Sequence, residues 1–305
     1  MTVNVSRAGL APLLLVYVGV LTGVTAPLGK LGAEAGISPL VWAAIVSSGV
    51  ALLLAPWLAW QGRLALPRGA AVRYVIIAGL ITFVGANLVL FVALPRLGAG
   101  QMGLMFALSP VMTLALASLA GLRRPGVLGL VGVMVGMMGA ILVAAARMGE
   151  GADLGLWSLF GLVMPLLLAI GNVYRTLDWP DGADPAVLAM WSHAVALAVF
   201  FALILGLGVS PEPVLSAAPW VVMAQLEVSA VTFPAFFLLQ RVGGPVMLSQ
   251  LGYVAAATGF LIAVALMGEI FGPLAWVGVG FIVLGIFATI LDGRIPGFAN
   301  RGAAC

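Results

Sequence analysis

The sequence predicts an all-α polytopic membrane protein: ten transmembrane helices, arranged as two inverted five-helix repeats, with both termini cytoplasmic. Three observations predict it. Of 305 residues, 63% are hydrophobic and 8% charged, whereas a soluble chain of this length carries about 75 charged residues. Apolar windows recur along the whole chain, each closed by Gly, Pro or a charge. A faint internal similarity then links the two halves.

The windows place helices over residues 10–30, 38–60, 72–94, 98–120, 126–146, 155–176, 185–208, 218–240, 245–267 and 273–292. Ten spans of ~20 residues leave roughly 100 for all loops and tails. That excludes an appended soluble domain of ordinary size, an ATP-hydrolysing one included. The first window needs separate justification, because Arg7, an apolar stretch and Ala33-Glu34-Ala35 imitate a secretory signal with its cleavage site. The run from Leu10 to Gly29 is longer than a signal core and carries Thr22, Thr25 and Pro27. It reads as a retained helix, which also keeps the halves equal at five helices each.

Basic residues set the orientation. With the N-terminus inside, the inner segments hold Arg7, Arg63, Arg68, Arg73, Arg123, Arg124, Arg175, Arg241, Arg294 and Arg301. The outer segments hold Lys30, Arg96 and Arg147. Ten against three places both termini in the cytoplasm. The net charge of +3 therefore reads as a topology signal. The arginines form no stripe, so nucleic acid is not an expected partner.

The repeat divides the chain into residues 1–148 and 149–305. Leu94-Pro-Arg-Leu-Gly98 recurs as Leu239-Gln-Arg-Val-Gly243, and Met102 matches Met247. After one insertion, Gly126, Gly132 and Gly139 fall opposite Gly272, Gly278 and Gly285. An odd number of helices per repeat forces the second to insert upside down. Such architectures hold a site near the bilayer midplane and let one bundle rock against the other.

These features resemble the drug/metabolite transporter superfamily, EamA-like type. The resemblance is carried by Gly268-Glu269 with Trp276-Val-Gly-Val-Gly-Phe-Ile-Val-Leu-Gly285, by Asn87-Leu-Val-Leu-Phe-Val-Ala-Leu94, by Leu108-Ser109-Pro110 and by Asn172-Val-Tyr-Arg175. Two positions depart from the pattern: Arg123 stands opposite Glu269, and Ser47-Ser48 stand where many members carry an arginine. Within the family the pattern is most similar to the YddG-type exporters of aromatic amino acids. The resemblance implies ten helices, export of small metabolites and an inner (plasma) membrane location.

Glu227 is the clearest ionisable residue deep in a span, where an unpaired charge costs several kcal/mol. It is either an ammonium partner or proton-coupling acid, or a neutral carboxyl bonded to a neighbouring helix. Gln225 and Ser229 share a different face. His193, beside Trp191, is either a proton relay or a helix–helix hydrogen-bonding group. Lys30 closes the first helix and can snorkel to headgroups. Thr22, Thr25, Asn87, Gln101, Ser109, Asn172, Ser249, Gln250 and Tyr253 also lie in spans and demand partners. Tyr17, Phe83, Phe91, Phe106, Tyr174, Phe233, Phe236 and Phe237 offer rings to an aromatic ligand. Trp57, Trp60, Trp157, Trp179, Trp220 and Trp276 read as an interfacial belt.

From this set the expected substrate-binding residues are Glu227, Gln101, Asn87, His193, Trp191, Ser249, Gln250, Tyr253 and Tyr17. Pro27, Pro110, Pro165 and Pro234 each free a backbone carbonyl and are the expected hinges or gates. Gly129, Gly132, Gly136 and Gly139 form one small-residue face, suited either to packing within a monomer or to a homodimer.

The expected function is secondary transport: export of small amphipathic metabolites, aromatic or neutral amino acids above all, by alternating access around a midplane cavity. An exporter of lipophilic cationic drugs and a passive channel are the alternatives. The sequence has no GxxxxGK loop. It has one histidine and one cysteine, Cys305. No enzyme activity, cofactor or metal is therefore expected, and the partners are a small-molecule substrate and membrane lipid.

Overall fold

A computed structural model describes residues 7–122, 126–148, 156–210, 218–267 and 272–292. Every element among these residues is helical. Helix α1 runs Arg7–Glu34 and α2 Pro39–Trp60. Helix α3 (Ala70–Ala78) continues through a π-helical segment, Gly79–Gly85, into α4 (Ala86–Ala107), followed by α5 (Ser109–Leu119) and α6 (Val127–Met148). The second half holds α7 (Leu156–Gly161), α8 (Val163–Leu177), α9 (Pro185–Gly206), α10 (Pro219–Ser249), α11 (Leu251–Ala265) and α12 (Pro273–Asp292). Five described helices are long and apolar enough to cross a membrane, and five shorter apolar helices occupy the remaining expected positions.

Several boundaries follow from local chemistry. Ser38 caps α2 by accepting the Val41 amide at 3.3 Å, and Asp184 caps α9 through the Ala186 amide at 2.8 Å. Each helix then starts on a proline, whose missing N–H is no loss in a first turn. Interior prolines act differently, because the ring collides with the carbonyl four residues back. Helix interruptions fall at Leu108, two residues before Pro110, and at Leu162, three before Pro165. Pro27 and Pro234 lie inside helices that run on uninterrupted past them.

The expected third and fourth helices differ from observation. The expected gap at 95–97 is helical, since α4 extends through Pro95, and the interruption comes at Leu108 instead. The gap expected between 240 and 245 is a kink at Gly244, whose φ of 72° and ψ of −177° leave the helical region. Only glycine adopts that conformation cheaply.

Helix α1 packs on α10 and α11, while α7 and α8 pack on α4. Helix α2 packs on α9, and α6 lies along α12. The last pair is the tightest: a Cβ on Gly285 would sit 2.5 Å from the Gly136 nitrogen and 2.6 Å from the Gly132 oxygen. Gly139 meets the Gly278 carbonyl oxygen in the same way. The glycine face of α6 is thus occupied within the monomer. Tyr253 closes it on another side, its hydroxyl donating to the Val133 carbonyl at 3.0 Å.

Polar contacts sort the loops to two ends. Arg63 bonds Asp184 at 2.5 Å, Arg73 pairs with Asp178, and Trp191 donates to the Ala65 carbonyl at 2.8 Å. The segments around 63–73 and 178–184 therefore share one end. At the other end Arg96 lies 3.9 Å from the ring centre of Trp157. One basic residue leaves the loop count: Arg175 is fully buried.

Replacing Gly285 with Val should push α6 from α12 and cost about 1–3 kcal/mol of stability. Gly280, on the same helix with open space around its Cα, should tolerate Ala with no loss. Thermal unfolding of the two purified variants against the parent checks the contrast.

Candidate functional site

The largest buried polar group is Arg175, on α8, at 0% exposure. Its guanidinium donates to Thr82 Oγ1 and, at 2.7 Å, to Asn172 Oδ1. Its charge lies 5.0 Å from the ring centre of Phe236, 5.8 Å from Phe237 and 5.9 Å from Phe83. Cations over ring faces gain about 0.5–2 kcal/mol each when desolvated. The described residues contribute no carboxylate to this guanidinium, and its Nε has no partner among them.

Around it the two halves of the chain meet. Asn172 donates to Thr113 at 3.3 Å, and Gln240 donates to the Asn172 carbonyl at 3.1 Å. His193 stacks between Phe83 and Phe233, with ring centres 4.0 and 4.1 Å away. Its Nδ1 lies 3.4 Å from Ser47 Oγ, and its Nε2 is buried with no partner among the described residues. Thr82 and Phe83 are aimed into this cluster by the π-helical segment, whose wider turn rotates side chains out of α-helical register. That segment also seats closely: a Cβ on Gly79 would lie 2.8 Å from the Ser192 carbonyl.

Of the expected substrate-binding residues, His193 joins this cluster, beside Asn172, Phe83, Phe233, Phe236 and Phe237 from the wider polar and aromatic set. Glu227 does not. It lies exposed on a stripe of α10 with Trp220, Met223 and Val231, while Gln225 and Ser229 turn inward and bond each other at 2.8 Å. Residues two apart on a helix point about 200° apart, so burying one pair exposes the acid. Tyr17 is 46% exposed on α1. Asn87 is half-buried on α4.

Ser249 and Gln250 are buried at the α10–α11 junction, where Ser249 bonds the Val246 carbonyl at 2.8 Å and Gln250 Oε1 is unpartnered. Tyr253 serves the α6 contact, and Trp191 ties α9 to the 61–69 loop. Gln101 lies in α4, and its side chain falls outside the described residues. Gly268, Glu269 and Arg123 fall outside them too. Trp179, just past the end of α8, packs on Tyr74 and Phe237 at 5.8 and 6.5 Å.

Sequence reasoning missed Arg175 as a site residue because it stands near a helix end, where arginine usually reaches water. The signal was its spacing: Asn172 and Arg175 are three residues apart, hence on one face of α8. The adjacent acid, Asp178, is already engaged by Arg73 and by the Tyr174 hydroxyl at 2.6 Å.

Comparison with known proteins agrees with this architecture. Residues 9–145 match the model of the EamA-like transporter family. No curated protein sequence matches the chain. A solved protein crystal structure is similar with a TM-score of 0.71 at 18% identity, covering 93% of this chain and 97% of that one. At that identity the similarity speaks for the fold.

The Asp178 carboxyl is held below its ordinary pKa, chiefly by the hydrogen bond from Arg73. A depressed folded-state pKa contributes stability above the unfolded value and loses it as pH falls through the folded one. Acidification through that range should therefore lower the melting temperature, and Asp178→Asn should remove that part of the pH dependence. Melting curves across an acid series for both proteins check this.

Proposed function

We propose that the protein is a secondary transporter that exports small amphipathic metabolites, aromatic or neutral amino acids above all, by alternating access around a chamber between its two halves. Ten helices, as inverted repeats over residues 1–148 and 149–305, span the inner (plasma) membrane with both termini cytoplasmic. The carrying observation is the buried aromatic–polar cluster in which Thr82, Phe83 and Thr113 of the first half meet Asn172, Arg175, His193 and Phe236 of the second.

The packing supports the inverted repeat. A two-fold axis in the membrane plane makes helices two and seven mates, and likewise five and ten. Those are the pairs α2–α9 and α6–α12 that lie together. It also makes the contact of α1 with α10 and α11 reciprocate that of α7 and α8 with α4. The shared end of the 63–73 and 178–184 segments fits the orientation drawn from the basic residues, with Arg175 removed from the count. The interruptions at Leu108, Leu162 and Gln250 lie in shorter helices, the form that moving parts take in such folds. Pro110 and Pro165 are accordingly the stronger hinge residues, since no helix interruption falls at Pro27 or Pro234.

Glu227, exposed on α10, is outside the cluster, and the buried cation repels a lipophilic cationic drug. Both favour zwitterions over cations as cargo. In proteoliposomes the purified protein should show saturable uptake of radiolabelled L-phenylalanine, accelerated by unlabelled amino acid on the opposite side. A non-saturating flux without trans-acceleration would mean a channel. Glu227→Gln should leave L-phenylalanine flux within about twofold of the parent, measured in the same assay.

A further inference from the structure

An arginine side chain offers five N–H donors in a planar fork that matches a carboxylate with two parallel bonds. Here two side-chain acceptors, Thr82 and Asn172, engage the guanidinium, and Nε is buried with no partner among the described residues. No carboxylate among the described residues neutralises it. A buried, unneutralised charge is costly enough that membrane proteins keep one only where it meets an ion, a substrate or a partner charge. Aspartate was at hand: Asp178 lies one turn beyond Arg175, yet it is committed to Arg73 and Tyr174. The rings of Phe83, Phe236 and Phe237 supply the apolar side of the same cluster.

We propose that Arg175 binds the carboxylate of the transported solute, and that the ligand class is an aromatic carboxylate. The two carboxylate oxygens take the free donors of the guanidinium fork, and the ligand's ring lies against Phe83, Phe236 and Phe237. A primary amine on the ligand is not required by this contact, so simple arylalkyl carboxylates belong to the class along with aromatic amino acids. This rests on reading the cluster as the solute chamber. Thr82 and Asn172 are the groups that hold the guanidinium until the ligand arrives.

The test uses the full-length protein in lipid nanodiscs and three probes: L-phenylalanine, 3-phenylpropionate and L-phenylalaninamide. Titration calorimetry should show both carboxylates binding at least tenfold tighter than the amide. Asn172→Asp places a permanent carboxylate beside the guanidinium, so it should melt at or above the parent temperature while losing at least tenfold in affinity for both acids. Arg175→Gln should lose the same affinity if it folds, and the aspartate variant decides the matter if it does not. Equal binding of amide and acid, no binding of either acid, or unchanged acid affinity in folded Asn172→Asp would each overturn the assignment. Flux in proteoliposomes separates it from the transporter reading. Saturable counterflow of phenethylamine without any acid transport would refute the Arg175 assignment alone. Acid binding with no trans-accelerated flux would uphold the site and sink the transporter.

Discussion

Hydrocarbon leaves a polar group no partner except those the chain itself supplies, and the fold is arranged around that constraint. It explains why the irregular backbone is placed where it is. The breaks at Leu108, Leu162 and Gln250 and the π-helical segment at 79–85 are the places where intrahelical bonds are lost or displaced. The π-helical segment and the Gln250 junction are lined by buried polar side chains, including Thr82, Ser249 and Gln250. At those two places uncovered amides and carbonyls therefore sit near groups that can bond them. The same constraint explains α6 and α12. Apolar surface gives no driving force for association against lipid, so the helices are held by close backbone approach, which only glycine permits.

Arg175 tests the constraint hardest. Thr82 and Asn172 bond the guanidinium and three phenyl rings face it, but none of these carries the opposite charge. The arrangement lowers the cost of the charge without cancelling it. Full cancellation by an aspartate would leave no charge for the proposed solute carboxylate to meet. The nearest acid is instead spent on Arg73, across from the other half of the molecule. Stability and function are divided between two adjacent turns of one helix end.

Much of this was legible in the sequence, and the reasons are specific. Span positions follow from the length of apolar runs against bilayer thickness, so α2, α9 and α12 begin within a residue of expectation. The glycine face of α6 was legible because its period is the helix period, but its partner was not, since small-residue spacing is the same for a neighbour in the chain and for a second copy. The candidate site was only partly legible. Depth along a span can be counted, whereas the direction a side chain faces depends on which neighbours arrive. Glu227 has the right depth and an exposed face; Gln225, two residues earlier, has the buried one. Arg175 was hidden by the opposite effect, because its position near a helix end is where a charge ordinarily escapes to water. Tyr253, with the depth of a cavity residue, is used up by a bond to the Val133 carbonyl.

The closeness of Arg175 to Asp178 has a mechanical consequence. Three residues of helix separate them, a rise of about 4.5 Å, so α8 cannot shift at one without shifting at the other. Arg73 and Thr82 are likewise joined through α3 and the π-helical segment. Two rigid pieces, one from each half, are thus pinned at two levels: Arg73 to Asp178 at the end of the bundle and Thr82 to Arg175 inside it. On the proposed assignment, a solute carboxylate that takes the free guanidinium donors would add to the inner contact while Arg73–Asp178 and Arg63–Asp184 still hold the outer end. The outer ion pairs are partly exposed, so solvent weakens them. In the proposed transport cycle, opening at that end would have to break those ion pairs, whereas the Thr82–Arg175 contact is the one within reach of the solute.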